Sequence, residues 1–100
     1  MFIVIYSFQV KKGRENDLRK SWTEMTKLII KYKGALGFRL HQADNNLFIA
    51  YAQWPDKATW ENKTNLMPKI AKEYSQYMTD CCTKIKTEYT MKVVEDLLVF

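Results

Sequence analysis

Two tryptophans, Trp54 and Trp60, flank a Pro55-Asp56 break. The apolar run Leu47 to Trp54 ends in the first indole, and Asp56, Lys57, Ala58, Thr59 and Trp60 open a helical turn behind it. An indole closing a strand and another on the next turn can wall a small-molecule pocket, each with a flat apolar face and one N–H donor. Both would serve equally well as core, and the sequence leaves the two readings open. His41, the only histidine, could take a phenolic proton, because imidazole titrates near neutrality. Arg39 shares its strand face and could hold the resulting anion, although on an edge strand both side chains would simply be solvated. Ser7 could point a small hydroxyl into a cavity or satisfy it locally. Asn62, just past Trp60, could offer an amide to a ligand or end the helical turn. The chain contains no Ser-His-Asp arrangement, Gly-rich phosphate loop or metal-spaced cluster.

The elements that must position these residues follow from periodicity. Phe2, Val4, Tyr6, Phe8 and Val10 alternate with Ile3, Ile5, Ser7 and Gln9 as a strand. It begins apolar on both faces and is therefore expected at the centre of a sheet. Lys11-Lys12-Gly13 turns out of it. Leu18, Trp22, Met25, Ile29 and Tyr32 then recur at helical spacing. Glu15 and Asp17 near the start and Lys31 and Lys33 near the end suit the helix dipole, and Gly34 is placed to stop the helix. Trp22 lies on the buried stripe and reads as core.

Residues 35–42 read as a second strand, with Leu36, Phe38 and Leu40 on one face and Gly37, Arg39 and His41 on the other. Asp44-Asn45-Asn46 is turn chemistry joining it to the Leu47–Trp54 strand as a hairpin. Asn65 is expected to cap a second long helix, with Pro68 in its first turn and Met67, Ile70, Ala71, Tyr74, Tyr77, Met78 and Cys81 as its buried stripe. Ile85, Thr87, Tyr89, Met91 and Val93 alternate with Lys84, Lys86, Glu88, Thr90 and Lys92 as the last strand. The order is βαββαβ: an α+β, ferredoxin-like pattern with two helices on one face of a four-stranded antiparallel sheet.

One hundred residues make a single domain, 1–100, with no linker or repeat. No apolar run reaches the roughly 20 residues that span a bilayer, and the apolar Met1–Tyr6 stretch lacks a basic leader, so it reads as strand rather than signal peptide. A membrane partner is therefore not expected, and the expected location is cytoplasmic. The formal charge is +5, from 16 Lys and Arg against 11 Asp and Glu, but the cations are scattered. They read as a solvated surface rather than a nucleic-acid site. Cys81 and Cys82 are adjacent, which supplies neither a metal cage nor a disulfide framework. Cys81 is expected to pack inward and Cys82 to be half exposed, in a reducing compartment. The first and third strands are apolar on both faces, yet the helices can cover only one. A second copy packed sheet to sheet would cover the other, with Tyr51 and Tyr6 at that interface. The apolar tail Leu97-Leu98-Val99-Phe100 points the same way.

With this order of elements and Tyr51-Ala52-Gln53-Trp54-Pro55 closing the third strand, the chain resembles the antibiotic biosynthesis monooxygenase family of dimeric α+β barrel proteins. The resemblance implies a homodimer and a small-molecule ligand. It also implies insertion of one oxygen atom into a small aromatic or quinol-type substrate with no flavin, haem or metal cofactor. Trp54 and Trp60 match the family's strand-end tryptophan and following aromatic, where the polyketide oxygenases carry Tyr at the second position. Ala50 stands where those oxygenases carry a substrate-binding Asn. Haem-degrading members use an Asn on the first strand, where this chain has Ser7, and a His on the second long helix, which this chain lacks. Two other readings stay open on the same scaffold: a non-catalytic dimeric binding protein, and an isomerase of a small carbonyl compound using Arg39 and His41.

Overall fold

The computed structural model describes residues 1–63 and 67–99. The chain runs β1 (Phe2–Val10), α1 (Glu15–Lys33), β2 (Gly37–Asp44), β3 (Leu47–Trp54), α2 (Lys57–Glu61), α3 (Ile70–Cys81) and β4 (Cys82–Lys92). The strands form one sheet in the order β2-β3-β1-β4 with every pairing antiparallel, which is the ferredoxin-like α+β topology expected of the sequence. The two doubly apolar strands, β1 and β3, are the central pair, where both faces can be covered.

α1 ends as its sequence requires. Gly34 takes φ 80° at the C-cap, a left-handed conformation that costs a residue with a Cβ. Its chain direction delivers the Leu36 N–H to the Gln53 carbonyl at 2.8 Å, which sets the start of β2 against the end of β3. The core lies between the sheet and the two long helices. Phe8, Val10, Phe48 and Ala50 meet Leu18, Met78, Cys81 and Cys82 at one end, and Phe2, Val4, Ala52 and Trp54 meet Ala35 at the other.

Several local expectations are corrected. β2 begins at Gly37 rather than at residue 35. Cys82 is buried like Cys81, because α3 passes directly into β4 without a turn and both thiols stay in the core. Burial accordingly pushes the Cys82 thiol up to about 11. Tyr32, Ile70 and Tyr77 are exposed rather than part of a buried stripe. α3 begins at Ile70 after Lys69, and the expected cap, Asn65, lies outside the described residues, as does Phe100 of the tail.

The period-two reading of β4 holds only on each side of a bulge. Tyr6 pairs with Thr87 and Ile5 with Tyr89, so Glu88 is an extra residue. Ile85 and Thr87 therefore share the helix-facing side with Phe8 and Tyr6, while Tyr89 and Met91 turn to the open side with Ile5 and Ile3. Tyr6 also differs from expectation: it shares the helix side with Phe2 and Phe8, opposite Tyr51.

Candidate active site

The end of β3 and the short α2 place the two tryptophans on the helix side of the sheet. Trp54 pairs in register with Phe2 and is only 3% exposed. Its ring meets Phe38 edge-on at 6.3 Å, and Phe38 meets Trp22 in the same manner at 6.3 Å, the geometry that ring quadrupoles prefer. Asp56 caps α2 by accepting from the Thr59 N–H and hydroxyl, both at 2.7 Å. That cap turns Trp60 back over β1, where its ring lies 5.6 Å from Phe2 and its indole N–H donates to the Tyr6 hydroxyl at 2.9 Å. Phe2, Tyr6, Phe38, Trp54 and Trp60 thus belong to one packed cluster.

Two features of this cluster are chemically loaded. The Trp54 Nε1–H is buried and meets no acceptor among the described residues. A buried donor left without a partner costs about 1–3 kcal/mol, so an acceptor brought in by a ligand would recover that energy. Burial pushes the Tyr6 phenol pKa up, and the Trp60 hydrogen bond offsets this only in part. The phenol therefore holds its proton at neutral pH. Among the described residues, no three His, Cys, Asp or Glu side chains converge as a metal site would require.

A groove of about 540 Å³ opens between α1 and β2, lined by Trp22, Phe38, Leu40 and Phe48 with Arg19 and His41 among its polar residues. Its volume falls in the range of pockets that take drug-sized ligands. A second groove of about 570 Å³ lies on the open side, where Arg39, His41, Tyr51 and Gln53 face Leu98 and Val99 of the tail.

The sheet divides the sequence-derived candidates. Trp54 and Trp60 stand on the helix side, whereas Arg39 pairs with Tyr51, His41 with Ile49 and Ser7 with Ile49 across β3 on the open side. Arg39 and His41 sit on an edge strand and border both grooves. His41 Nδ1 lies 3.1 Å from the Ile49 carbonyl oxygen; a carbonyl only accepts, so Nδ1 is the donor in this contact. Ser7 donates to Glu88 at 3.2 Å. Asn62 ends α2, its backbone N–H donating to the Thr59 carbonyl at 3.4 Å. Sequence reasoning missed Tyr6 and Phe38 as site residues. For both, the signal was parity, since each shares a strand face with residues already assigned to the core.

An antiparallel sheet of this order with two helices on one face defines a ferredoxin-like α+β protein, in which the groove between α1 and β2 touches the aromatic cluster through Phe38. The chain belongs to the antibiotic biosynthesis monooxygenase family, whose model matches residues 1–66. A comparison with curated proteins by sequence returned no match. The fold is shared with solved structures at low identity. Rv0793 from Mycobacterium tuberculosis is 12% identical with a TM-score of 0.73, over 97% of this chain and 98% of that one. A conserved protein from Methanosarcina mazei Go1 is 16% identical with a TM-score of 0.72, over 91% of this chain and 90% of its own. An asparagine-to-alanine variant of SnoaB, a cofactor-independent oxygenase from Streptomyces nogalater, is 12% identical with a TM-score of 0.75, over 96% of this chain and 95% of its own.

Proposed function

We propose that this protein is a cofactor-independent monooxygenase acting on a small aromatic phenol or quinol bound on the helix side of the sheet. The observation that carries the reading is the buried Trp54 Nε1–H in an aromatic cluster, with no acceptor among the described residues. Flat rings supply faces for an aromatic substrate, and the spare donor supplies an anchor for one of its oxygens. Family membership and the resemblance to SnoaB support the same reaction class.

The reaction asks little covalent work of the protein. A bound phenol ionises, its electron-rich anion passes an electron to dioxygen, and the radical pair recombines at a ring carbon. One oxygen atom stays on the substrate and the other leaves as water. The substrate supplies all four electrons and ends as a quinone. The site's tasks are to exclude water, orient the ring and stabilise the anion. Arg39 and His41 stand on the open side of the edge strand β2 but border the groove, and in this reading they relay the phenolic proton to solvent around that edge and balance the charge.

The functional unit in this reading is a homodimer in a reducing cytoplasm. Ile5, Ile49, Tyr51, Tyr89 and Met91 share the face that the helices leave uncovered, and a second copy packed on it removes an apolar patch that a monomer would expose. Neither a nucleic acid nor a membrane surface enters this reading. A second reading rests on the open-side groove, where Arg39, His41 and Gln53 would suit a small anionic ligand, bound or isomerised. Among the described residues, no helix is long and apolar enough to cross a membrane.

Dioxygen uptake by metal-stripped protein with anthrones and hydroquinones, corrected for autoxidation, tests the leading reading. Saturable uptake that falls at least about tenfold in Trp54→Phe, which removes one donor worth roughly 1–3 kcal/mol, is the expected result. No uptake across the panel, with saturable binding of an anionic carbonyl compound lost in Arg39→Ala, would move the function to the open-side groove.

A further inference from the structure

The Tyr6 hydroxyl projects among the aromatic rings from β1, in the middle of the sheet. It has one proton and two lone pairs. The Trp60 indole N–H, at 2.9 Å, can only donate and therefore occupies a lone pair. That contact is the hydroxyl's only hydrogen bond among the described residues, so its own proton has no acceptor among them. The side chain is partly rather than fully buried, which leaves the proton within reach of a ligand. Directly across β3 stands Ala50, whose methyl group offers no competing polar contact and little bulk beside the phenol. Tyr6 is thus an aligned donor in an apolar, ring-lined setting.

We propose that the Tyr6 hydroxyl, aligned by the Trp60 indole N–H, donates the hydrogen bond that holds the phenolate oxygen of the substrate. The proposal rests on the reading that an aromatic phenol occupies the helix-side site. Its physical basis is charge-assisted bonding: an O–H donor gains about twice as much from an anionic acceptor as from a neutral one. The bond is therefore stronger to the ionised substrate than to the neutral phenol, and it lowers the bound substrate's pKa. Burial works in the same direction from the protein side, because it keeps Tyr6 protonated and so able to donate. The bond also selects. A phenol or quinol can present an anionic oxygen, whereas an aryl methyl ether cannot.

The test uses 4-nitrophenol, a poor reductant whose phenolate is yellow, so that binding and ionisation are read without turnover. The bound dye is titrated against pH with wild-type protein, Tyr6→Phe and Trp60→Phe, and each variant's melting temperature is recorded. The expected result is saturable binding to all three, with the bound dye's pKa about one pH unit higher in Tyr6→Phe than in wild type and an intermediate value in Trp60→Phe. An unchanged bound pKa in Tyr6→Phe that still binds would overturn the role of Tyr6 and leave the aromatic site standing. If wild-type protein does not bind the dye saturably, the site reading fails and the role of Tyr6 fails with it. Should Tyr6→Phe not fold, Trp60→Phe decides alone, and a bound pKa equal to that of wild type overturns the proposal.

Discussion

At the scale of single residues, function and stability are set against each other in the same few side chains. Trp54 is nearly inaccessible and packs on Phe38, yet its N–H meets no acceptor among the described residues. Such a group persists where the surrounding packing over-determines it, and in the proposed function a substrate oxygen is its acceptor. Asp56 shows the opposite case, with its carboxylate doubly satisfied. Two hydrogen bonds from Thr59 hold its carboxyl below the usual carboxylate range. A folded-state pKa below the unfolded one stabilises the fold above the unfolded value, and this contribution disappears as pH falls through the folded value. Asp56→Asn keeps a capping oxygen but does not titrate. The urea midpoint of wild type should therefore exceed that of Asp56→Asn at neutral pH, with the gap closing below pH about 4. A gap independent of pH would show that the cap does not depend on charge.

At the scale of elements, the ends of helices and strands aim the site. Gly34 halts α1 and feeds β2, and a Cβ there would meet Thr59 Cγ2 at 3.3 Å while φ stays at +80°. Gly34→Ala should cost about 1–2 kcal/mol from the left-handed backbone alone, read as a lower urea midpoint. Because the crowded atom belongs to α2, it should also perturb Trp60 fluorescence. A midpoint within error of wild type would mean that the chain leaves α1 by another route. Much of this architecture was legible in the sequence. The alternation of β1, the Leu18–Trp22–Met25 stripe and the Gly34 stop each follow from one local rule, and the Trp54-Pro55-Asp56 sequence marks the end of β3 and the start of α2. What escaped was not local. The bulge at Glu88 shifts parity without any change in composition, so Tyr89 and Met91 were grouped with Ile85 although they face the other way. The Trp60–Tyr6 bond joins residues 54 apart in sequence, and periodicity gives no register between such distant elements. Arg39 and His41 read well as a pair on one strand face, but only the sheet reveals that Trp54 and Trp60 lie on the other side.

At the scale of the whole molecule, the sheet has a finished face and an unfinished one. The helices bury Phe8 and Phe48 on the first, whereas on the second Tyr89 is 64% exposed, and in the tail Leu97 is 88% and Val99 94% exposed. The tail leaves β4 with the Val93 N–H on the Met1 carbonyl and brings Leu98 and Val99 beside β2, which covers only part of that face. Light scattering at micromolar concentration should accordingly give twice the monomer mass, and Ile5→Lys, which puts a charge on the central strand of the open face, should shift it towards monomer. A monodisperse monomer of wild-type protein would contradict the shared-sheet assembly. The proposed chemistry is tested most directly by turnover of an anthrone under isotopically labelled dioxygen by the metal-stripped protein. One labelled oxygen atom in the quinone product and one in water is the predicted result. Product that carries no label, or two labelled atoms per molecule, would contradict monooxygenation at this site.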